Sequence, residues 1–586
     1  MPTASLDTAA RASQGRTPAF FVALACAALM GWRATAPPAP LPADAPDTEF
    51  SATRAMEDIR AIASTPRATG TPELAAARAH LASRLTALGF TWRETAFPLP
   101  PRPAARLKSW GGDSAATGVN LIAWRRGADS TAPAVALMAH YDGVWGSPAA
   151  ADDAFGVSAA LEIARAIPRE TQRRDLLLLF TDAEEIGLVG ARAFFGTDSA
   201  ADPLADRVGV MINLESRGGS GVASMFQTSA ANGALMALYG DVVRHPAANS
   251  IAVSIYERLP NNTDLTPALQ RGVRAFNIAN IGDARLYHSP LATPDEIDPG
   301  TVQHMGEQGL DLTRALLTRD SLPGEAPAVV FSDIFGVTML SYAPTTGWIV
   351  LAVCALLLGL ASFHRKYDWS AQSAAGSAFD GLAVLVVAGL LLFLLNMLSL
   401  AGGSPEARYY DRLAALPRLE WQAALAVLAT VIASTAMWAR SDSSRAVGAG
   451  LLTLVLGAVT QVVLPGGGPV FAWPLFAAAV SFFVQGLAPA GAMGPRIVST
   501  LIAAVGLAWL GTFAHFLLLA VGADVPSAVV VHLVPALALL APIMPEWRRR
   551  TALVSAGVLV LAAVAIALWV RLDPMAPSVA VYAVPR

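Results

Sequence analysis

The segment LLLLFTDAEEIGLVG (176–190) decides the fold, because an uninterrupted apolar run in it gives way at once to a cluster of carboxylates. Such a run is typical of a strand that is buried on both faces of a parallel sheet. Two further runs have the same form: 134–139 leads directly into His140, and 208–214 leads into Glu215. Because open α/β sheets hold their ligand sites at the carboxyl ends of the strands, we expect these polar side chains to share one site.

Helical segments lie between the apolar runs. The stretch GVSAALEIARAI (156–167) is one of them, and it follows the acidic pair Asp152–Asp153. Alternating strands and helices indicate an α/β domain with a mixed, mostly parallel sheet flanked by helices.

Five side chains of metal-ligand type occur in order along the first half of the chain. Two imidazoles and three carboxylates suit a pair of Zn²⁺ ions that keep a position open for water. One carboxylate can bridge the ions, which leaves two further ligands for each. Glu184 stands beside one of these residues and can take a proton from the water, which is the chemistry of amide hydrolysis. The five are His140, Asp152, Glu185, Glu215 and His288.

Each motif taken alone has a plain structural explanation. A single His-x-Asp phrase carries little information, and Glu-Glu pairs are common on solvated surfaces. Asp152 and Asp153 have the composition of a helix N-cap, and His288 alone is compatible with an ordinary core or surface histidine. The order of the motifs together with the strand context favours a metal site.

A family resemblance rests on five short phrases, and it covers roughly residues 55–317. The chain resembles the co-catalytic di-zinc aminopeptidases, whose members include secreted bacterial leucyl aminopeptidases and the peptidase domain of glutamate carboxypeptidase II. The resemblance implies a zinc-exopeptidase fold with two Zn²⁺ per chain. The phrases are MAHYDGVWG (138–146), AADDAFGV (150–157), FTDAEEIGLVG (180–190), NLESRGG (213–219) and LYHSP (286–290).

The same resemblance implies how the ligands divide between the ions. His140, Asp152 and Glu215 are expected on one ion, and Asp152, Glu185 and His288 on the other. Asp152 therefore bridges the pair.

The resemblance also implies roles for residues around the ligands. Asp142 orients the imidazole of the first histidine ligand, as is common for metal-bound histidine, and Glu184 is the general base. Asp153 is expected to shape the backbone rather than to bind metal. Asp264 matches a position of the family whose side chain supports the metal ligands without binding metal itself.

The second half of the chain has the composition of a membrane protein. Of the 586 residues 54% are hydrophobic and 15% are charged, which is unusual for a soluble protein. Eight apolar stretches are each about long enough to cross a hydrocarbon core of about 30 Å. We expect them to form an all-α polytopic membrane domain. The stretches are 347–363, 381–402, 422–438, 446–464, 470–487, 497–521, 527–544 and 552–570.

A further apolar segment precedes the α/β region. It runs through 19–32 behind Arg11 and Arg16, and it is compatible with a signal peptide or an anchor. Residues 34–36 resemble a cleavage site, but Pro37 disfavours cutting, so we predict an uncleaved anchor. The predicted organisation is an anchor and linker over 1–44 (span about 19–33), a peptidase domain over 45–322, a docking linker over 323–346, an eight-helix transmembrane domain over 347–570 and a tail over 571–586.

The distribution of basic residues predicts the topology of nine spans with the N-terminus inside. The short inside segments hold twice as many Lys and Arg residues as the short outside segments, so the peptidase domain is expected on the extracytoplasmic side. This side is the periplasm in a bacterium and the lumen in a eukaryote. The outside loop around 406–420 carries both signs of charge, and we expect it to be a mixed-charge surface. The inside residues are Arg11, Arg16, Arg365, Lys366, Arg440, Arg445, Arg496, Arg548, Arg549 and Arg550, and the outside residues are Arg408, Arg412, Arg418, Arg571 and Arg586.

The complete arrangement resembles the polytopic endoplasmic-reticulum metallopeptidase and vacuolar membrane protease group. It predicts a peptide substrate and a lipid bilayer as partners. The net charge of −3 gives no indication of nucleic-acid binding, and the sequence does not predict an oligomeric state. Both cysteines, Cys26 and Cys354, fall inside predicted spans, so no disulfide framework is expected.

The predicted function is that of a membrane-anchored zinc metallopeptidase, with aminopeptidase activity as the first expectation. One alternative is a glutaminyl-cyclase-like acyltransferase that uses a single zinc. The other is an inactive receptor or transport-associated module on a peptidase fold, which predicts a broken ligand set. Carboxypeptidase or dipeptidase specificity also remains open, because these motifs determine the reaction rather than the substrate pocket.

Overall fold

The chain forms two compact units in the computed structural model, which describes residues 15–197, 200–363, 369–437, 441–487, 489, 492–574, 576 and 578–582. We name them the sheet unit and the helical unit. The sheet unit comprises Ala36–Ser341, Gly403–Ala414 and Met575–Arg586, and the helical unit comprises Met1–Thr35, Tyr342–Gly402 and Ala415–Pro574.

The sheet unit is built on seven strands. They are β1 (Thr91–Pro98), β2 (Thr117–Arg125), β3 (Ala134–His140), β4 (Leu176–Thr181), β5 (Val208–Ser216), β6 (Ser224–Thr228) and β7 (Arg274–Asn280).

The strand order across the sheet is β1-β2-β4-β3-β5-β7-β6. The four central strands β4, β3, β5 and β7 are parallel, whereas β1, β2 and β6 pair antiparallel. This confirms the predicted mixed, mostly parallel sheet. A separate pair of strands, β8 (Val330–Ile334) and β9 (Thr338–Tyr342), lies in the segment predicted to be a linker.

The central strands are buried on both faces, as their uninterrupted apolar sequences predicted. In β3, Leu137 packs into the cluster on one face, whereas Met138 packs into the cluster on the other face. Leu178 and Leu179 of β4 divide in the same way. Helices on both faces complete the two clusters, so no strand needs a polar face.

In the described part of the sheet unit, ten helices of six to twenty residues accompany this sheet. They are α2 (Ala52–Ile62), α3 (Pro72–Ala87), α4 (Pro101–Ser109), α5 (Phe155–Ala166), α6 (Val189–Phe195), α7 (Gly233–Val242), α8 (Ser250–Tyr256), α9 (Leu265–Gln270), α10 (Pro299–Thr318) and, far along the chain, α13 (Pro405–Ala414).

The helical unit consists of long apolar helices. They are α1 (Arg16–Thr35), α11 (Thr346–Ser362), α12 (Ala371–Ser399), α14 (Leu416–Met437), α15 (Asp442–Val463), α16 (Pro469–Leu487), α17 (Met493–Val521), α18 (Leu533–Leu540) and α19 (Arg549–Leu572).

Eight of the described helical segments are long and apolar enough to cross a bilayer, and α11 is a shorter apolar helix of 17 residues. One of the eight is a composite, Pro526–Ile543, in which 3₁₀ turns flank α18. Large apolar side chains remain exposed on these helices, for example Leu390 at 57% and Leu561 at 69%. Exposed apolar surface on helices of this length is what contact with lipid requires.

The first helix packs into the helical unit. Phe20 and Ala23 of α1 are fully buried, in one cluster with Ala503 and Ala504 of α17. The N-terminal apolar segment therefore belongs to the bundle in this structure.

Two segments depart from the predicted organisation. The loop predicted to be a mixed-charge surface contains α13, in which Glu406 is exposed but Asp411 and Arg412 are buried, so the prediction is wrong for these two residues. The C-terminal tail was predicted to be a separate element, but it joins the sheet unit. Tyr410 of α13 and Tyr582 of the tail both contact His288 of the sheet unit, and these contacts account for the difference.

Several predictions concern residues outside the described part of the chain. They include the basic residues Arg11, Arg365, Lys366, Arg440 and Arg586, and the end of the span predicted at 422–438.

Candidate metal centre

His140 is the last residue of β3, and its imidazole is almost completely buried. Its Nδ1 atom lies 3.2 Å from the backbone oxygen of Asp142. Its Nε2 atom faces two carboxylates, with Asp152 Oδ1 at 2.9 Å and Glu215 Oε2 at 3.7 Å. One ring nitrogen is thus held by the backbone, and the other points at the predicted ligands.

The turn that carries Asp152 is held from behind by Arg67. This arginine is fully buried, and its guanidinium donates hydrogen bonds to the backbone oxygens of Tyr141, Pro148 and Ala149. Burial lowers the pKa of Arg67 to about 10, although nearby carboxylates oppose this shift. Arg67 therefore fixes the loop between the first histidine and the acidic pair.

Glu184 and Glu185 lie on the loop after β4, and Asp142 aligns them. Its Oδ1 accepts a hydrogen bond from the Glu184 N–H (3.1 Å) and its Oδ2 accepts one from the Glu185 N–H (3.3 Å). Asp142 is fully buried, and its Oδ1 also lies 3.4 Å from His140 Nδ1. A single carboxylate therefore couples the histidine ligand to the Glu-Glu pair.

The same loop is fixed at its far end by Asn120 of β2. The Asn120 side chain accepts from the Asp182 N–H at 3.1 Å and donates to the backbone oxygen of Gly190 at 2.8 Å. A Cβ at Gly190 would lie 2.3 Å from Asn120 Oδ1, so glycine is required for this close approach.

Glu215 occupies the end of β5 and is oriented by the neighbouring strand. Asn213 donates a hydrogen bond to Glu215 Oε1 at 3.2 Å and another to Asn277 Oδ1 of β7 at 3.0 Å. Two facing asparagines in the parallel ladder thus set the direction of this carboxylate.

His288 approaches the centre from the opposite side. Its Nε2 atom lies 3.2 Å from Glu185 Oε2 and 3.5 Å from Asp152 Oδ2. The two oxygens of Asp152 therefore face different histidines, which is the arrangement that a bridging carboxylate needs. The structure brings together all five predicted ligands, as well as Glu184 and Asp142.

The side chains form two groups, in each of which the candidate ligand atoms lie within 4.8 Å of one another. One group contains Asp152, Glu185 and His288, and the other contains His140, Glu215 and Asp153. The sequence had assigned Asp153 to the backbone, and its Oδ1 does accept a hydrogen bond from the Gly156 N–H at 2.9 Å. Its Oδ2 is nevertheless buried without a hydrogen-bond partner.

The centre concentrates negative charge in a buried space. Burial raises the pKa of Glu215 to about 8, and burial also raises the pKa of Glu184 well above its ordinary value. Burial likewise raises the pKa of Asp152, but the imidazoles of His140 and His288 outweigh it and hold that pKa below its ordinary range. The positive groups of the protein therefore do not balance the buried carboxylates, and cations would stabilise the centre.

The unpartnered atoms test whether zinc fits. His288 Nε2, Glu185 Oε1 and Asp153 Oδ2 are buried and make no hydrogen bond. Each such atom costs about 1–3 kcal/mol if it stays unsatisfied. Imidazole nitrogen and carboxylate oxygen are the ligand atoms of catalytic zinc sites, so the chemistry of these unpartnered atoms fits zinc.

Sequence reasoning missed several residues that build this centre. Arg67 was not singled out, and neither were Asn213, Tyr410 and Tyr582. Tyr410 lies with its hydroxyl 2.8 Å from His288 Nδ1, and the Tyr582 ring stacks on the same imidazole. Asp264, which had been expected behind the ligands, is fully buried and accepts a hydrogen bond from the Thr181 hydroxyl.

Residues 120–313, which include all of these ligands, match Peptidase family M28. These residues lie within the sheet unit. This chain is 27% identical over 296 residues to endoplasmic reticulum metallopeptidase 1 of Mus musculus, a match that covers 48% of this chain and 32% of that protein. It is 29% identical over 238 residues to the vacuolar membrane protease of Candida albicans (strain SC5314), covering 40% of this chain and 27% of that protein. The chain thus matches about a third or less of the length of these curated relatives.

Solved structures similar to this chain include an aminopeptidase and a glutaminyl cyclase. The aminopeptidase from Aneurinibacillus sp. strain AM-1 is 16% identical with a TM-score of 0.36, covering 48% of this chain and 96% of that one. The glutaminyl cyclase of Porphyromonas gingivalis is 20% identical with a TM-score of 0.36, covering 46% of this chain and 99% of that one.

Proposed function

We propose that this chain is a membrane-anchored zinc metallopeptidase that binds two Zn²⁺ ions and removes residues from peptide N-termini. One observation carries the proposal: Asp152 lies between the two predicted histidine ligands, with its oxygens 2.9 Å from His140 Nε2 and 3.5 Å from His288 Nε2.

The predicted division of the ligands between the two ions is compatible with these contacts. His140 and Glu215 would hold one ion, Glu185 and His288 would hold the other, and Asp152 would bridge them. Zinc at these positions would lower the pKa of a water molecule and polarise the scissile carbonyl.

Glu184 is placed to move the proton that this reaction releases. Its backbone is fixed by Asp142, and it keeps more solvent exposure than the neighbouring Glu185. Glu184 accepts a proton from the attacking water at a carboxylate oxygen and passes it to the leaving amine. A positioned base of this kind contributes about 10²–10⁴-fold to the rate.

The choice of an aminopeptidase rests on the resemblance of the motifs to leucyl aminopeptidases. The cyclase alternative predicts one zinc and a reaction confined to N-terminal glutamine or glutamate. The inactive-module alternative predicts a defective ligand set, and every predicted ligand and the base are in place here. The intact set favours catalysis.

A parity argument supports the predicted number of spans. The segments Ala36–Ser341, Gly403–Ala414 and Met575–Arg586 belong to one unit, which favours the same side of the membrane for all three. Two of the described apolar helices separate the first segment from the second, and six described apolar segments separate the second from the third. Even numbers are consistent with a crossing by both α11 and the composite Pro526–Ile543.

This parity supports nine spans, with α1 as an uncleaved anchor and 347–570 as the transmembrane domain. The bias of basic residues towards the other side supports an extracytoplasmic position for the sheet unit.

The test uses the full chain purified in detergent. Zinc content is measured, and hydrolysis is followed on peptides with free and with acetylated N-termini. Glu184→Gln should retain zinc and lose about 10²–10⁴-fold in kcat. Glu57→Gln makes the same chemical change at an exposed position of α2 and should leave both properties unchanged.

The outcomes separate the alternatives. About two zinc ions per chain with release of single N-terminal residues from free peptides establishes the proposal. One zinc with cyclisation of N-terminal glutamine would favour the cyclase, and equal cleavage of acetylated peptides would refute the aminopeptidase assignment.

A further inference from the structure

Three tyrosines enclose the imidazole of His288. The ring stacks on Tyr287, with centroids 3.7 Å apart, and on Tyr582, with centroids 4.9 Å apart and planes 16° from parallel. The Tyr410 hydroxyl lies 2.8 Å from Nδ1. His288 has a φ of 52°, a left-handed conformation that few residues other than glycine adopt. Its orientation is therefore imposed by its surroundings.

Two of these tyrosines come from segments that follow membrane helices along the chain. Tyr410 lies on α13, between the apolar helices α12 and α14, and Tyr582 follows α19. Both segments belong to the sheet unit.

Hydrogen bonds tie the two segments together and to the histidine. The Ala576 N–H donates to Asp411 Oδ1 at 3.0 Å, and the Val579 N–H donates to the backbone oxygen of His288 at 3.1 Å. The tail therefore reaches both the helix that carries Tyr410 and the residue that Tyr410 contacts.

The neighbouring tyrosine has a different partner. Tyr409 accepts a hydrogen bond from Arg217, whereas Tyr410 is buried against His288. Tyr409 and Tyr410 are thus adjacent on one helix, but their hydroxyl groups contact different residues.

Both predicted histidine ligands have a polar contact at Nδ1, but the contacting groups come from different parts of the chain. His140 Nδ1 has the backbone oxygen of Asp142, two residues away, whereas His288 Nδ1 has the Tyr410 hydroxyl, 122 residues away. A metal-bound histidine usually donates its second ring N–H to a fixed acceptor, which sets the tautomer and the ring orientation. With Nδ1 engaged by Tyr410, the buried and unpartnered Nε2 is left for the ion.

We propose that Tyr410 is a positioning residue for the metal ligand His288, and that Val579 and Tyr582 of the tail hold the same histidine in place. This inference rests on the proposed zinc peptidase function. It assigns a structural contribution to the reaction to two segments outside the region that matches the M28 family.

Tyr410→Phe in the full chain tests the role of the hydroxyl, since phenylalanine keeps the ring. Competition with a chelator should show one of the two zinc ions bound about 10–100-fold more weakly and the other unchanged. With Co²⁺ in place of zinc, the visible absorption of one ion should change. Tyr409→Phe removes a hydroxyl from the same helix and should leave the affinity of both ions within about twofold.

A second variant tests the tail and does not depend on the first. A chain that ends at Pro574 keeps every apolar helix but lacks Val579 and Tyr582, and it should lose affinity for the same ion. Wild-type affinity for both ions in Tyr410→Phe and in the shortened chain overturns the inference alone. A wild-type protein that binds no zinc overturns the proposed function and, with it, this inference.

Discussion

Replacing Asp142 by asparagine is expected to loosen the metal centre while the domain stays folded. The carboxylate is fully buried, and its two oxygens accept from the backbone N–H groups of Glu184 and Glu185. Asparagine offers one acceptor and one donor, so in either orientation its amide group faces one of these N–H groups.

The magnitude follows from these two contacts. One buried N–H loses its acceptor, which costs about 1–3 kcal/mol, and the other exchanges a charged acceptor for a neutral one, which costs about 1 kcal/mol. The total of about 2–4 kcal/mol is smaller than the stability of most domains. Because the loop moves relative to His140, zinc affinity should fall about 10–100-fold and kcat should fall about 10²-fold.

The assay compares three variants of the full chain by chelator competition, thermal unfolding and peptide hydrolysis. Asp142→Asn should lower both zinc affinity and kcat, whereas Glu184→Gln should lower kcat alone. Asp113→Asn is the matched control, because Asp113 is exposed and accepts only a local backbone bond from Ala115 that asparagine can also accept. Wild-type zinc affinity and rate in Asp142→Asn would refute the idea that this carboxylate couples the ligands.

Three further outcomes are expected. Arg67→Met removes the donor of the Tyr141 and Pro148 carbonyls, whereas the Ala149 carbonyl keeps the Ala154 N–H. It should destabilise the protein by about 3–5 kcal/mol in thermal unfolding. A shift as small as that of a surface arginine substitution would contradict the role of Arg67. Gly156→Ala places a Cβ 2.6 Å from Asp153 Oδ2 and should cost about 1–3 kcal/mol, whereas Gly324→Ala, which has open space, should be neutral. After chelation, thermal stability should fall as the pH rises from about 4.5 to 9. Folding raises the pKa of Glu215 to about 8 and that of His288 to about 9. Over this range the folded protein therefore holds more protons than the unfolded chain, and raising the pH removes that advantage. Stability that rises with pH over this range would refute the assignment of uncompensated carboxylates, and added zinc should flatten the profile.

The sheet and the ligand set were predictable because their signals are local. Each of the runs that end at His140 and Glu215 combines a buried strand with the polar residue at its carboxyl end. The parallel pairing then brings those ends together without any further information. For the same reason the apolar helices could be located from composition alone, although α12 begins ten residues before its predicted stretch and α14 six residues before.

The parts that sequence reasoning missed depend on contacts between distant segments. Tyr410 lies in a loop of mixed charge, and nothing in its neighbourhood marks it as a partner of a residue 122 positions earlier. Arg67 contacts backbone carbonyls at 141–149, and carbonyls carry no sequence signature. Asp153 was set aside because the family pattern assigns the bridge to its neighbour, whereas side-chain geometry places both near the histidines.

The order in which the chain is synthesised gives the position of Tyr582 an additional meaning. It follows α19, so during synthesis it is made after the motifs of the sheet unit that end at LYHSP (286–290) and after the described apolar helices. Under the proposed function, His288 would gain the Tyr582 ring that stacks on it only once those helices have been synthesised. The orientation of this ligand would therefore be completed after membrane insertion of the helical unit has begun.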